Sequence, residues 1–296
     1  MATPLNYATQ YARALANAFP FVLHFGALYT TPNNAIYRVI DAQTIKIPKL
    51  STTGRVDGDR DLIGEKRRNF SNEWEPKVLT NHRKWDTLIH PVDVIQTNMI
   101  VTIQNITRTF NEHEKFPEMD RYCISKIYAD WAALGNAAKI ITLTVENVLP
   151  TFDAMMEDMD EANVPEVGRI LYVTPATNTL IKNAKDIVRQ ISLKDGNTQL
   201  TRAISRLDDV SIEKVPSNIM KTAFDFTVGS IAAPGASTIQ MALIHPLAVY
   251  TPVQYQFSQV SEPAALSDGK WVYYEESFED TFILNEKAAA INFVTN

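Results

Sequence analysis

Two β-rich stretches flank a segment that no hydrophobic core would accept. Ile36 to Pro48 reads IYRVIDAQTIKIP, and Phe70 to Ile89 reads FSNEWEPKVLTNHRKWDTLI. Between them, Leu50 to Asn69 carries nine charged residues and three glycines. The pattern predicts a long hairpin with a solvated tip. An arm of this length is too long to pack fully on its own domain. The rest of the chain must therefore supply a core without it, and the arm needs another surface to lie on.

The remaining sequence can supply that core. The chain has 296 residues, 45% of them hydrophobic and 21% charged, as in ordinary globular proteins. The formal net charge is −6, which argues against coating nucleic acid by counterion release but not against enclosing it. Cys123 is the only cysteine, so no intramolecular disulfide and no cysteine zinc motif can form. Ala14 to Tyr29 is apolar, but Pro20 and His24 interrupt it and it is too short to span a bilayer. It reads as an N-terminal arm. Tyr7, Tyr11, Leu15 and Phe19 fall at helical spacing within it.

Helical spacing recurs further on. Val92, Ile95, Met99, Ile103, Ile106 and Phe110 predict one helix running from Pro91. Cys123, Ile127, Trp131, Leu134 and Ala138 predict a second. Val145, Val148, Phe152, Met155 and Met159 predict a third, kinked at Pro150. Arg169 to Ala184 reads as a strand and then a helix, with Thr174 as N-cap and Pro175 as the first helical residue. Asp209 to Val215, Thr238 to His245, Tyr250 to Phe257, Trp271 to Tyr274 and Phe278 to Leu284 read as strands. This order predicts an α+β protein.

The one dense cluster of polar chemistry is Asn111 to Cys123, NEHEKFPEMDRYC. A metal site would need Glu112, His113, Glu114, Glu118 and Asp120 to converge, yet neither H-E-x-x-H nor EF-hand spacing is present. The bland reading is a charged link between helices. Glu118 and Asp120 would then sit in a first turn opened by Pro117, and Cys123 would be a buried small hydrophobe. His24, His82, His90, His113 and His245 lie in no catalytic motif, and the run Glu275, Glu276, Glu279, Asp280 reads as a solvated face. No catalytic, cofactor-binding or metal-ligating residue is assigned, and no cofactor is expected.

Several segments in order resemble the major capsid proteins of tailed bacteriophages with the Hong Kong 97-like fold. FPEMDRY, Phe116 to Tyr122, is similar to the family's P-E-x-D-A-Y segment, with Arg121 in place of the alanine. Arg169 to Ala184 resembles its strand and helix, and Val210 to Thr222 its strand ending in V-P-S-x-x-M. Ala242 to Gln256 and Trp271 to Ile291 resemble its closing strands. The resemblance implies an N-terminal arm over residues 1–32, an extended E-loop hairpin with flanking strands over 33–89, and a peripheral domain with a long spine helix over 90–139. It further implies an axial domain over 140–235 and strands returning to the peripheral domain over 236–296.

The function it implies is structural. Copies of the chain would form hexamers and pentamers in an icosahedral head assembled in the host cytoplasm. The head would enclose double-stranded DNA without specific binding and without a membrane. A separate scaffolding protein and a portal are the implied partners, since no fused scaffolding segment precedes the arm; decoration proteins are left open. The rivals are an encapsulin-like nanocompartment shell, a soluble enzyme and a tail-tube subunit. Deleting Thr52 to Arg68 and closing the strands with a short turn tests the hairpin reading. The subunit should keep its circular dichroism and thermal unfolding, because loop length enters closure entropy only weakly, while particle yield collapses. Normal shells, or loss of the fold, would refute it.

Overall fold

The computed structural model describes residues 22–35, 38–39, 44–55, 70–96, 102–184 and 205–296. The helix expected over Tyr7 to Phe19, Met99, and most of the charged tip lie outside these residues.

A six-stranded mixed sheet organises the body, in the order 139–140, 291–295, 239–244, 170–173, 210–214, 206–207. The strand at Ile239–Ile244 runs antiparallel to both its neighbours, and Ile170–Val173 runs parallel to Val210–Lys214. All four residues of Ile170–Val173 are buried, as expected for an inner strand covered on both faces. Period-2 alternation sorts the side chains into two cores. Ile170, Tyr172, Ala242, Ile244, Ile291 and Phe293 face a helix at Phe116–Ala133, packing with its Cys123, Ile127 and Trp131 and with Phe25 and Leu28 of the N-terminal segment. Leu171, Val173, Met241, Leu243 and Val294 face the other way. They meet Val148, Phe152, Met155 and Met159 of the helix Val148–Glu161, and Ile181 of the helix Pro175–Asn183.

Local chemistry explains the helix ends. Thr174 is extended, and its side chain accepts the Thr177 N–H at 3.3 Å, with Pro175 following at the first helical position. Pro150 causes no kink. It lies in the first turn of its helix, where the missing N–H would have had no partner.

The helix expected to run unbroken from Pro91 to Phe110 is interrupted. Pro91–Gln96 and Ile103–Phe110 are helical, but Thr102 is extended at φ −94°, ψ 153°, and its hydroxyl caps the Asn105 N–H at 3.3 Å. The cap outcompetes the continuing apolar period. Val92 and Ile95 are left exposed.

The charged link expected at Asn111 to Phe116 is itself helical. Asn111–Lys115 forms a π-turn in which the Phe116 N–H reaches the Asn111 carbonyl, so helix continues from Ile103 to Ala133. Pro117 explains the widening. It has no N–H to donate, and in a regular α-turn its ring would strike the carbonyl four residues back. Gly135, at φ +89°, follows the helix end, leaving Leu134 exposed rather than on the buried stripe.

The return stretch of the hairpin divides between two sheets. Thr44–Thr52 pairs with Phe70–Val78 in an antiparallel register running from Thr44↔Val78 to Thr52↔Phe70. His82–Ile89 instead pairs with Trp271–Glu279, which pairs in turn with Val253–Ser261. Trp271–Glu279 is one continuous strand, where the sequence suggested two.

Trp131 is 4% exposed and meets the Phe293 ring edge-on at 5.2 Å. Trp131→Ala should cost about 3–5 kcal/mol in reversible unfolding, through lost transfer energy and a residual cavity. A loss under about 1 kcal/mol would contradict its place in the core.

Candidate assembly surfaces

Strand alternation gives the hairpin two unlike faces. Ile45 and Ile47 point toward the body and pack with Leu79, Tyr250 and Phe282. The opposite face carries Pro48, Leu50, Trp74 and Val78, with Leu50 64% and Trp74 44% exposed. The body holds the hairpin base by a small core and a few polar links. Lys49 pairs with Glu286 at 3.3 Å, and Asn285 Nδ2 donates to Glu75 at 2.7 Å. A cavity of about 210 Å³ lies beneath, lined by Ile47, Glu75, Tyr250 and Glu286 among others. Exposed pairs of this kind contribute at most about 1 kcal/mol. The outer strand carries Glu73, Glu75, Pro76 and Lys77, a composition that blunts edge-to-edge pairing. Among the described residues of the arm, the apolar face is the broad surface left open to a partner.

The three-stranded sheet of 253–261, 271–279 and 82–89 has two unlike faces as well. One packs on the helical run from Ile103 to Ala133. Trp85 stacks on Phe110 at 3.9 Å, Arg83 Nε pairs with Glu118 at 2.6 Å, and Lys115 pairs with Glu275 at 3.2 Å. The other presents His82 stacked on Phe278, with Tyr274, Tyr255, Phe257 and Leu88 around them. Tyr255, Phe257 and Leu88 are exposed. This aromatic face is a second surface suited to another protein.

Buried carboxylates tie the hairpin exit and the N-terminal segment to the body. Asp280 accepts the Thr80 N–H at 2.8 Å, the Thr80 hydroxyl at 3.1 Å and the Tyr122 hydroxyl at 2.8 Å. It is buried, so the run Glu275 to Asp280 is not the solvated face its sequence suggested. Glu276 bonds His82 and Tyr274, and Glu275 bonds Lys115 and Tyr273. Asp120, expected as a first-turn solvated charge, is fully buried. It accepts the His24 N–H at 2.8 Å and the Phe25 N–H at 3.2 Å.

The stretch Asn111 to Cys123 is thus dispersed into structural roles. Glu112 faces Arg108 at 3.8 Å, Glu118 faces Arg83, Asp120 holds the N-terminal segment, and burial pushes the Cys123 thiol pKa up. Among the described residues no three His, Cys, Asp or Glu side chains group to hold a metal ion. His245 is capped on both nitrogens: Nδ1 accepts the Leu247 N–H at 3.1 Å, and Nε2 lies 3.2 Å from the Val167 carbonyl. Among the described residues no helix is long and apolar enough to cross a membrane.

No protein-family model and no curated protein matches the sequence. Solved structures do match. The chain aligns with one from the asymmetric unit of the bacteriophage PhiM1 mature capsid over 86% of its own length and 82% of the other, at TM-score 0.63 and 12% identity. With the capsid of cyanophage P-SCSP1u the coverages are 94% and 89%, at TM-score 0.63 and 11% identity. With the capsid of Myoviridae phage XM1 they are 95% and 93%, at TM-score 0.56 and 9% identity. The chain has the mixed helix-and-sheet fold of these phage capsid proteins.

Asp280→Ala would strand the Thr80 N–H and the Tyr122 hydroxyl. It should cost about 1–3 kcal/mol in all, because the carboxylate is buried but its donors are only partly so and can turn to water, read by denaturant unfolding of the subunit. An unchanged midpoint would show that Asp280 does not hold the hairpin exit.

Proposed function

We propose that the chain is the major capsid protein of a tailed bacteriophage, with the Hong Kong 97-like architecture, and that it works by assembly rather than by catalysis. The carrying observation is a hairpin with an exposed apolar face, Pro48, Leu50, Trp74 and Val78, set on a body with the fold of phage capsid proteins. In this reading Thr44–Val78 is the E-loop, lying over a neighbouring subunit whose aromatic sheet face receives it. The segment before residue 33 is the N-terminal arm, and the helical run to Ala133 belongs to the peripheral domain.

The axial domain contains the six-stranded sheet. Because that sheet joins Ile170–Val173 to Ile239–Ile244 and Ile291–Thr295, this domain extends past residue 235 and takes in the last strand. Copies meet as hexamers and pentamers in an icosahedral head around double-stranded DNA, assembled with scaffolding protein and a portal. Weak contacts repeated at every neighbour pair add up to a stable closed lattice. A net charge of −6 suits a wall that must not adhere to its contents.

The double variant Leu50→Glu, Trp74→Glu tests the reading. Both side chains are exposed, so subunit stability should change by no more than about 0.5 kcal/mol per site. Negative-stain microscopy should show shells from the unaltered protein, expressed with its neighbouring genes, and none from the variant. Normal shells from the variant would overturn the assignment.

A further inference from the structure

We propose that the strand Val253–Ser261 is a docking edge for a second copy of this chain: the same strand of two subunits pairs antiparallel across a two-fold axis and joins their three-stranded sheets into one. The strand lies at the rim of its sheet, in the order 253–261, 271–279, 82–89. From Tyr255 to Ser261 its register with 272–278 is unbroken, and each of these residues is exposed. Among the described residues no strand pairs with its outer side. An edge of this kind presents a row of main-chain N–H and C=O groups that templates a further strand. A cavity of about 220 Å³ lies among Asn111, Lys115, Gln256, Ser258 and Glu275, so the helical run does not close over the strand from its side.

The occupant follows from the chain's other edges. His82–Ile89, at the opposite rim, carries His82, Arg83, Lys84 and Asp86. Phe70–Val78 carries Glu73, Glu75, Pro76 and Lys77, and Thr44–Thr52 carries Lys46, Pro48 and Lys49. Charge and proline placed this way block strand addition. VQYQFSQVS has neither. The remaining edge strands among the described residues are two residues long. A strand that adds here needs an open edge of its own, and the matching edge in this chain is the same strand of another copy.

Self-pairing is also electrostatically permitted. An uncharged strand meets itself with no like charges opposed. The acidic residues of the next strand are already paired, Glu275 with Lys115 and Glu276 with His82. They would lie three strand spacings, about 14 Å, from their copies, beyond the screening length. An isologous contact is self-complementary, as a two-fold axis requires. The register that overlaps all of 255–261 sets Ser258 opposite its own copy, Phe257 opposite Gln259 and Gln256 opposite Val260. Tyr255 and Phe257 then carry the aromatic face across the axis.

Disulfide trapping tests this, because the sole native cysteine, Cys123, is buried. Gln256→Cys, Phe257→Cys, Ser258→Cys, Gln259→Cys and Val260→Cys are made singly in the full chain, expressed with its neighbouring genes and mildly oxidised. A residue opposite its own copy lies within disulfide reach, whereas positions one step off the axis are about 8 Å apart. A covalent dimer should therefore peak sharply at Ser258→Cys; one sharp peak at another of these positions supports the pairing with its register moved. Adding Gln256→Lys and Val260→Lys, which oppose like charges, should cut the dimer about tenfold. These side chains are exposed, so the subunit fold should hold. No dimer at any position, equal dimer at all of them, a covalent product with a different protein instead, or an undiminished dimer with the lysines would each overturn the proposal. The contact does not use the hairpin's apolar face, so shells that form without the crosslink count against this edge alone.

Discussion

Leu50 and Trp74 sit on a β-hairpin arm with their apolar surface turned away from the residues that seat it, and the rest of the molecule is arranged around that fact. Removing such surface from water is favourable by about 25 cal/mol per Å². A subunit that leaves it exposed is therefore incomplete alone. Charges and Pro76 along the outer strand discourage indiscriminate strand addition, so the stored interaction is available mainly to a shaped partner surface.

The body must stay folded while the arm waits. It does so with two apolar layers on either side of one sheet, each drawn from alternate residues of the same strands. The arms join this body through the helical run from Ile103 to Ala133. Tyr122 meets Asp280 at the hairpin exit, Asp120 holds the N-terminal segment, and Arg83 bridges from the three-stranded sheet to Glu118. The π-turn at Asn111–Lys115 lets that helix accept Pro117 without ending, so these anchoring points share one rigid element.

Features whose cause is local could be read from the sequence. Thr174 and Pro175 announce a helix start because cap chemistry spans only a few residues. The hairpin is legible because nine charges and three glycines separate two β-rich stretches. Other features depend on residues far apart. Asp120 and Asp280 look like surface carboxylates because their donors lie 95 to 200 positions away. The split between Phe70–Val78 and His82–Ile89 was hidden because both strands alternate alike, and Leu79-Thr80-Asn81 has neither glycine nor proline to mark the crossing. The break at Thr102 was masked by an apolar period that continues in phase through it. Exposure of Tyr255 and Phe257 could not be foreseen either, since a buried strand would show the same alternation.

The account stands on the hairpin's apolar face being covered by another copy of the chain. Cryo-electron microscopy of the assembled particle measures this directly. The account expects a closed shell in which Pro48, Leu50 and Trp74 lie against a neighbouring subunit at every quasi-equivalent position. A shell in which that face stays open to solvent, or folds back on its own body, would contradict it.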